Sequence, residues 1–418
     1  MAGKLVVVNQ LGFADQEGQP LSRETSRETV ILSACRTATG RFLGTLSEIP
    51  AARLGGVVVA EAIRRAGVEP NDVQEVILGN VLQAGQGQNP ARLAVHAAGL
   101  PDEVPAVTIN KLCGSSMKAV HFATQAIAGG DAELMVAGGM ENMSLAPYLL
   151  AKGRTGYRMG DGLLEDHMLR DGLTCAVNSY HMGMTAENVA ARYGVTREDQ
   201  DAFALESQRR AAAAMAAGTF AEEVVPVPVP QRRGDPLLFD TEEHPRPETT
   251  LEALAKLKPA FKEDGTVTAG NASGVNDAAS ALVLSSREFA DSRGLKPLAR
   301  VVGWASAALD PKYMGMGPYH ATAKVLEKTG MTVDQMDVVE ANEAFAAQAL
   351  AVARLLELDM TKTNLCGGAI ALGHPIGASG ARILTTLLYA LRRTGGRYGL
   401  ATMCIGGGQG IATIIEAE

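Results

Sequence analysis

The sequence predicts an α/β fold with two similar βαβαβ halves, mainly parallel sheets covered by helices, and an inserted loop domain. Short apolar, β-rich runs alternate with stretches of helical periodicity, which is typical of parallel sheets with helices on both faces. The order of elements after residue 298 repeats the order after residue 29, which indicates a duplication. A segment rich in Met, Gly and charge, about 146–274, separates the two series and is predicted to be a lid.

The first half is predicted to comprise residues 29–145 together with 275–297. Its strands are 29–34, 75–78, 106–109 and 134–137, and its helices are 51–66, 90–98 and 116–130. Pro90 opens the second helix, and glycines close the other two. We expect the last strand to end at Gly138 and Gly139.

The second half is predicted at residues 298–418. Its strands are 299–302, 337–339 and 399–403, and its helices are 319–330 and 381–393. The glycine-rich block 367–408 corresponds to the block 113–139 of the first half. The corresponding loops should therefore meet at a shared seam, where we expect the chemistry.

The insert, residues 146–274, has one clear helix. Thr196, with Asp199 three residues later, marks the start of a helix that runs through Ala216. Alternate prolines in residues 225–230 predict an extended edge segment, because proline lacks the donor that a central strand needs. The densest basic patch of the insert consists of Arg232, Arg233, His244 and Arg246.

Composition excludes several classes of protein. At 418 residues with 46% hydrophobic content, the chain can bury the cores of two or three domains. A formal net charge of −8 argues against a nucleic-acid surface, and no uncharged apolar stretch approaches the roughly 18 residues of a membrane span. Five cysteines without a C-x-x-C pair predict a reducing, cytoplasmic location with neither disulfides nor structural zinc. Residues 1–28 lack the character of a signal or transit peptide and are expected to form a loose N-terminal extension.

Cys113 is the first candidate for a chemical role. It follows an apolar, β-rich run and precedes a helix, so the free N–H groups and the dipole of the helix start should favour its thiolate. The glycine at 114 would let a substrate approach closely. The competing interpretation is a small buried residue of the core, which is the commonest setting for a lone cysteine.

Three residues of the second half reinforce a chemical interpretation. His374 lies in a loop with glycines on both sides, which gives a ligand access and gives a core histidine few packing partners. Cys404 ends a strand ahead of a glycine run. Asn342 directly follows a buried strand, which suits a site residue, although a helix N-cap is the alternative.

Four motifs in this order resemble the thiolase family, and within it the acetyl-CoA acetyltransferases. They are NKLCGSSM at 110–117, NEAF at 342–345, GHPIG at 373–377 and CIGGG at 404–408. The resemblance extends from about residue 29 to the C-terminus. It implies the fold predicted above and a homo-oligomer, either a dimer or a tetramer.

The resemblance also implies a mechanism. Cys113 would accept the acyl group from acetyl-CoA with His374 as its base, and Cys404 would remove the α-proton of a second acetyl-CoA to give acetoacetyl-CoA. His374 and a water held by Asn342 would bind the thioester oxygen, and the N–H groups of Cys113 and Gly406 would stabilise the oxyanion. Coenzyme A is then a substrate and product, with no permanently bound cofactor and no metal.

For coenzyme A, the resemblance points to five residues of the insert. Ser273 and Ala269 would lie beside the pantetheine, and His181 and Met182 near the thioester. Arg246 would lie near the nucleotide phosphates, where the basic patch suits an anionic ligand on an acidic protein.

The chain length of the acyl group is the least determined property. Ser116 and Lys111 stand where short-chain members of the family usually carry Gly and Gln or Arg. Residues 181–184 and 313–316 are rich in methionine and predict a short pocket, so acetoacetyl-CoA should be preferred. The alternative is a degradative 3-ketoacyl-CoA thiolase of β-oxidation.

Other classes of protein fit less well. A decarboxylating ketosynthase of the same superfamily would pair its cysteine with two histidines, whereas Cys404 occupies the place of the second base. A coenzyme A or lipid carrier without catalysis would have little reason to keep Cys113, His374 and Cys404 together. A nucleotide-dependent enzyme is not supported, because neither full glycine-rich phosphate-binding motif occurs.

Overall fold

The computed structural model describes residues 27–418, so most of the predicted extension 1–28 lies outside the described residues. The strands in that range are β1 Thr29–Thr37, β2 Gly40–Arg41, β3 Glu75–Gly79, β4 Ala106–Ile109, β5 Leu134–Asn142, β6 Tyr148–Leu149, β7 Glu165–Asp166, β8 Thr174–Cys175, β9 Tyr180–His181, β10 Val224–Val225, β11 Val227–Val229, β12 Leu237–Phe239, β13 Asn276–Ser286, β14 Ala299–Ala308, β15 Val338–Ala341, β16 Tyr398–Ile405 and β17 Gln409–Ala417. The helices are α1 Ala51–Ala66, α2 Pro90–Ala97, α3 Ser115–Gly129, α4 Met182–Tyr193, α5 Arg197–Ala216, α6 Leu251–Ala255, α7 Arg287–Ser292, α8 Gly317–Thr329, α9 Ala346–Leu356, α10 Ala369–Leu372 and α11 Ser379–Thr394. None of these helices is long and apolar enough to cross a membrane.

The main sheet runs through both halves in the order β15-β16-β17-β14-β1-β13-β5-β3-β4. A short antiparallel pairing of β1 with β14 joins the halves, with Val30 opposite Arg300 and Ile31 opposite Ala299. After the insert, β13 returns to the first half and lies between β1 and β5. The α/β class predicted from the alternating pattern is confirmed.

Pairing direction in the sheet follows the connections. Strands linked through helices pair in parallel, namely β3 with β4, β3 with β5, and β15 with β16. The central pairs formed by β13, β14 and β17 are antiparallel, so the sheet is mixed. The alternation of strands and helices does not reveal these antiparallel pairs, because β17 follows β16 through a tight turn and β13 arrives from the insert.

One strand boundary differs from the expectation. Strand β5 does not end at Gly138 and Gly139 but continues through Asn142. The two glycines serve close packing instead of a turn, because a Cβ at Gly138 would lie 2.1 Å from the backbone oxygen of Ser280 on β13.

The helices form three layers around the two parts of the sheet. Helices α1 and α2 cover the outer face of the first-half strands, and α8 covers the outer face of the second-half strands. Helices α3 and α11 lie between them and share one core with strands of both halves. Helix α11 is buried from Ser379 to Leu391, as expected for a helix enclosed on all sides. The first turns of α3 and α11 are therefore brought together in the interior.

The insert contributes helices and short hairpins to the surfaces of both halves, with α4 and α5 against α9 of the second half and β10 beside β1 of the first. Thr196 caps α5 as predicted, accepting a hydrogen bond from the backbone N–H of Asp199 at 3.1 Å. The proline segment is extended: β10 pairs with β1, and β11 pairs with β12. Its valines are buried while its prolines are exposed, as expected for an edge segment.

Candidate active site

Cys113 lies in a tight turn between β4 and the first residue of α3. The turn places Leu112 in the left-handed region at φ 49°, where the side chain of Asn110 accepts a hydrogen bond from the Leu112 N–H at 2.9 Å. The Ser115 hydroxyl accepts from the Lys111 N–H at 2.8 Å and donates to the Leu112 carbonyl at 2.6 Å. The thiol is thus fixed at the helix start predicted from the sequence.

The protonation state of Cys113 differs from the expectation. Burial raises the pKa of the thiol to about 11, although the N–H of Gly406 and its own N–H lower it. Desolvation therefore outweighs the helix start, and the group rests as a thiol. A neighbouring base is needed before it can attack a carbonyl.

His374 is held by its loop in one tautomer. Its Nδ1 lies 2.6 Å from the hydroxyl of Ser379, which in turn donates to the carbonyl of Pro375 at 2.8 Å. Since the carbonyl can only accept, both contacts are satisfied when Nδ1 carries the hydrogen. The lone pair is then on Nε2, which is buried and has no hydrogen-bond partner among residues 27–418.

The imidazole of His374 is neutral. Burial lowers its pKa to about 3, and the positive charge of Arg382 acts in the same direction. An unpartnered, unprotonated Nε2 is suited to accept a proton from a thiol or to bind a substrate.

Cys404 lies near the end of β16 and is fully buried, opposite Gly410. Burial raises the pKa of its thiol above the usual range, and the charge that Cys113 carries when it ionises raises it further. The residues that follow the two cysteines also pack together, because a Cβ at Gly114 would lie 2.4 Å from Cδ1 of Ile405. Loss of the negative charge at Cys113 would therefore make Cys404 easier to ionise.

Asn342 follows β15, and its N–H donates to the carbonyl of Thr402 at 2.9 Å. Its side-chain oxygen and nitrogen are both buried, and within the described part of the chain neither has a hydrogen-bond partner. The N-cap interpretation is wrong, because α9 begins only at Ala346 and its N-cap is Phe345. A buried amide with neither atom paired is suited to hold a water or a ligand.

A cavity of about 810 Å³ connects most of the predicted residues. The predicted residues that line it are Cys113, His374, Gly406, Ser273, Ala269, His181, Met182 and Arg246. Cys404 and Asn342 are buried and do not line it. The cavity therefore brings the candidate nucleophile and base together with all five candidate residues for coenzyme A.

The insert supplies one wall of this cavity. The ring of His181 stacks on Phe261 with centroids 4.5 Å apart, and Phe345 meets Phe261 edge-on. The Nδ1 of His181 accepts from the Gly183 N–H at 3.0 Å, so its Nε2 carries the hydrogen and is free to donate. Ser273 donates its N–H to Ala344 at 3.0 Å, which joins this wall to the second half.

Only part of the predicted basic patch faces the cavity. His244 and Arg246 line it, whereas Arg232 and Arg233 do not. Burial, together with the charge of Arg246, lowers the pKa of His244 to about 4, so this histidine is neutral. Arg246 thus carries the positive charge of the patch at the cavity.

The two departures from the family pattern lie away from the cavity. The buried hydroxyl of Ser116 accepts from the N–H of Ala381 at 2.9 Å, so it links α3 to the first turn of α11. The ammonium of Lys111 donates to the side-chain oxygen of Gln409 at 2.5 Å. Neither residue lines the cavity, so neither contacts an acyl chain there.

Sequence reasoning missed the residues that support the site. Ser379 could have been found as a hydroxyl five residues after His374 and at the start of a helix. Phe345 lines the cavity, and its position inside the NEAF motif gave a partial signal. Glu141 contacts the loop of His374 from another strand, which no local pattern reveals.

Comparison with known proteins agrees with this arrangement. Residues 29–288 match the N-terminal domain of thiolases, and residues 295–417 match the C-terminal domain. An acetyl-CoA acetyltransferase of Chromobacterium violaceum is 58% identical over 389 residues, covering 93% of this chain and 99% of that protein. One from Escherichia coli K12 is 56% identical over 391 residues, covering 93% of this chain and 99% of that protein.

A solved structure has the same fold. The crystal structure of the Bacillus anthracis acetyl-CoA acetyltransferase superposes with a TM-score of 0.93 at 45% identity, covering 94% of this chain and 100% of that one. With both family domains matched in order over most of its length, this chain belongs to the thiolase family.

Proposed function

We propose that the protein is an acetyl-CoA C-acetyltransferase, which reversibly condenses two acetyl-CoA to acetoacetyl-CoA and coenzyme A. The observation that carries this proposal is the unpartnered Nε2 of His374 in the cavity that Cys113 also lines. The relatives at 58% and 56% identity bear this activity in their names.

In the first half-reaction, Nε2 of His374 takes the proton of Cys113, and the sulfur attacks the thioester carbonyl. The N–H groups of Cys113 and Gly406 stabilise the oxyanion. The bond from carbon to the sulfur of coenzyme A then breaks, and the leaving sulfur takes its proton from Cys404. Acetyl-Cys113, the imidazolium of His374 and the thiolate of Cys404 remain.

In the second half-reaction, Cys404 takes the α-proton of a second acetyl-CoA. The imidazolium of His374 and a water held by the amide of Asn342 bind the thioester oxygen as the enolate forms. The carbanion attacks the acetyl group, the bond to Cys113 breaks, and Cys113 recovers its proton from His374. Acetylation favours this step, because acetyl-Cys113 cannot carry the negative charge that would raise the pKa of Cys404.

We place coenzyme A along the wall of the insert. Ser273 and Ala269 contact the pantetheine, His181 and Met182 lie near the thioester, and Arg246 pairs with the phosphates. The lining of the cavity and the free Nε2–H of His181 support this placement. Residues 146–274 then act as the lid predicted from the sequence.

The proposed preference is for short acyl chains. Met182 and Met314 line the cavity, where their flexible side chains fill space beyond the thioester. The alternative, a degradative 3-ketoacyl-CoA thiolase, needs an open channel at this place. An open channel would favour longer substrates by about 0.8 kcal/mol for each buried methylene.

The deciding experiment is CoA-dependent thiolysis by the purified enzyme. We expect acetoacetyl-CoA to be cleaved with a higher kcat/KM than 3-ketohexanoyl-CoA or 3-ketohexadecanoyl-CoA. A higher value for the longest substrate would replace the proposal by the degradative alternative. No thiolysis of any of the three would refute both.

We further propose a homo-oligomer, a dimer or tetramer, in the cytoplasm. Large apolar side chains of the insert are exposed, including Met159 at 97% and Leu163 at 74%, and self-association would cover them. All five cysteines are free, which suits a reducing compartment. Light scattering would test the assembly: a monomer at micromolar concentration would refute it.

A further inference from the structure

Glu141 is a buried titratable group that the proposed reaction does not use. It lies on β5 and is fully buried. We propose that Glu141 is a positioning residue: its carboxylate fixes the turn that orients His374 toward Cys113. This inference rests on the roles proposed above for those two residues.

The contacts of Glu141 are all with donors. Its Oε1 accepts from the side-chain amide of Asn80 at 2.8 Å and from the Leu82 N–H at 3.1 Å. Its Oε2 accepts from the N–H groups of Val81 and Gly377, both at 2.9 Å. The side chain therefore joins the loop after β3 to the loop of His374.

Only the ionised carboxylate can accept all four of these hydrogen bonds. Burial raises the pKa of Glu141 to about 7, while the backbone donors oppose that shift. A proton on either oxygen would point at an N–H group and would displace at least one of the four hydrogen bonds. Two ionisable groups interact with Glu141. The charge of Asp277 raises the pKa of Glu141, and the charge of Glu141 raises the pKa of Cys113. Neither group supplies a positive charge. The N–H groups therefore hold the negative charge in place.

The turn that Glu141 holds has little freedom. A Cβ at Gly377 would lie 2.5 Å from Oε2 of Glu141, and a Cβ at Gly139 would lie 2.2 Å from the carbonyl oxygen of Gly377. Two residues further on, Ser379 binds Nδ1 of His374. Glu141 thus acts on the base through Gly377 and Ser379, without touching the substrate.

The test is the isosteric variant Glu141→Gln in the full-length enzyme. A glutamine has one acceptor oxygen, and in either orientation its NH2 group would face two N–H donors. The variant therefore loses either the hydrogen bond from Gly377 or hydrogen bonds from the loop after β3. The readouts are thiolysis of acetoacetyl-CoA and the rate of Cys113 alkylation by iodoacetamide from about pH 7 to about pH 10.

We expect Glu141→Gln to lower kcat and the alkylation rate at pH 7 by at least about ten-fold, with KM for coenzyme A changed less than about two-fold. The difference in alkylation rate between Glu141→Gln and wild type should shrink as the pH rises toward the pKa of Cys113. At high pH the thiol ionises in solution without the help of a neighbouring base. This pH-dependent recovery separates a displaced base from blocked access to Cys113.

Asp277→Asn is the matched control. Asp277 is equally buried on the neighbouring strand and accepts two hydrogen bonds from Ser144, at 3.0 Å and 2.6 Å, but it does not contact the loop of His374. We expect this variant to keep kcat and the alkylation rate within about two-fold of wild type. A comparable loss in the control would overturn a specific role for Glu141.

Three results for Glu141→Gln would also overturn the inference. They are an unchanged alkylation rate, a deficit that is equal at every pH, and a faster rate at pH 7, which would mean that the charge acts on the thiol directly. If Glu141→Gln does not fold, Asn80→Ala is the substitute, because it removes one of the four donors to Glu141. It should lower the alkylation rate of Cys113 at pH 7 by a smaller factor, and the rate should again approach that of wild type as the pH rises. Failure of the proposed function is distinguishable, because the wild-type enzyme itself would then not cleave acetoacetyl-CoA.

Discussion

The contact between His374 and Ser379 gives the sharpest prediction about catalysis. Ser379→Ala removes the hydroxyl that accepts from Nδ1–H at 2.6 Å, in a region that is buried. A buried donor without a partner costs about 1–3 kcal/mol. The tautomer with the hydrogen on Nδ1 is then disfavoured by that amount relative to the tautomer with the hydrogen on Nε2, which can bind water in the cavity.

This free energy converts directly into a rate. About 1.4 kcal/mol corresponds to a ten-fold change, so the fraction of His374 with a free Nε2 lone pair should fall about 5- to 150-fold. We expect kcat/KM for thiolysis to fall by the same factor, mainly through kcat. Nitrogen NMR of histidine-labelled protein should show hydrogen on Nδ1 in wild type and on Nε2 in the variant.

Ser280→Ala is the control for this prediction. The hydroxyl of Ser280 is also buried and hydrogen-bonded, to the carbonyl of Cys35 and to Thr385, both at 3.0 Å, but it is remote from the base. Ser280→Ala should lower the free energy of unfolding about as much as Ser379→Ala does, and it should keep the wild-type kcat/KM for thiolysis. A Ser379→Ala enzyme with kcat/KM within about two-fold of wild type would refute the tautomer argument.

Four further predictions concern single residues. Cys113→Ser should abolish both synthesis and thiolysis without changing the thermal unfolding temperature, and substantial remaining thiolysis would contradict its role as nucleophile. Cys404→Ala should still take up labelled acetyl from acetyl-CoA but condense it very slowly. If this variant takes up no label, Cys404 has a different role from the one proposed. Ser116→Ala should lower the free energy of unfolding by about 1 kcal/mol through the lost hydrogen bond to α11, while the ratio of kcat/KM for acetoacetyl-CoA and 3-ketohexanoyl-CoA stays unchanged. Because the pKa of His244 is about 4 in the folded chain and about 6.5 in the unfolded chain, the unfolded chain binds more protons below pH 6.5. Stability should therefore fall from pH 6.5 toward pH 4, and this fall should be smaller in His244→Gln when denaturant titrations are compared.

Local patterns in the sequence predicted much of the fold. Most of the predicted helices and strands occur within a few residues of their expected bounds, since apolar spacing and glycine or proline at the ends are local signals. The same signals placed Cys113 ahead of α3 and His374 in an accessible loop. The four motifs then led to the thiolase family, which the comparisons show.

Contacts between distant residues decided the rest. The direction of pairing around β13, and the continuation of β5 through Gly138, depend on which strand lies alongside, which a local pattern does not contain. The N-cap alternative for Asn342 failed because the chain makes another extended stretch before α9 begins.

The sequence by itself determined the element order, the duplication and the positions of the candidate reactive groups, because periodicity, end signals and motifs are properties of neighbouring residues. Only the tertiary structure decided the state of those groups. Cys113 rests as a thiol because burial outweighs the helix start, and His374 is a neutral base because burial and Arg382 lower its pKa. Both effects arise mainly from desolvation, which exists only once the chain has folded.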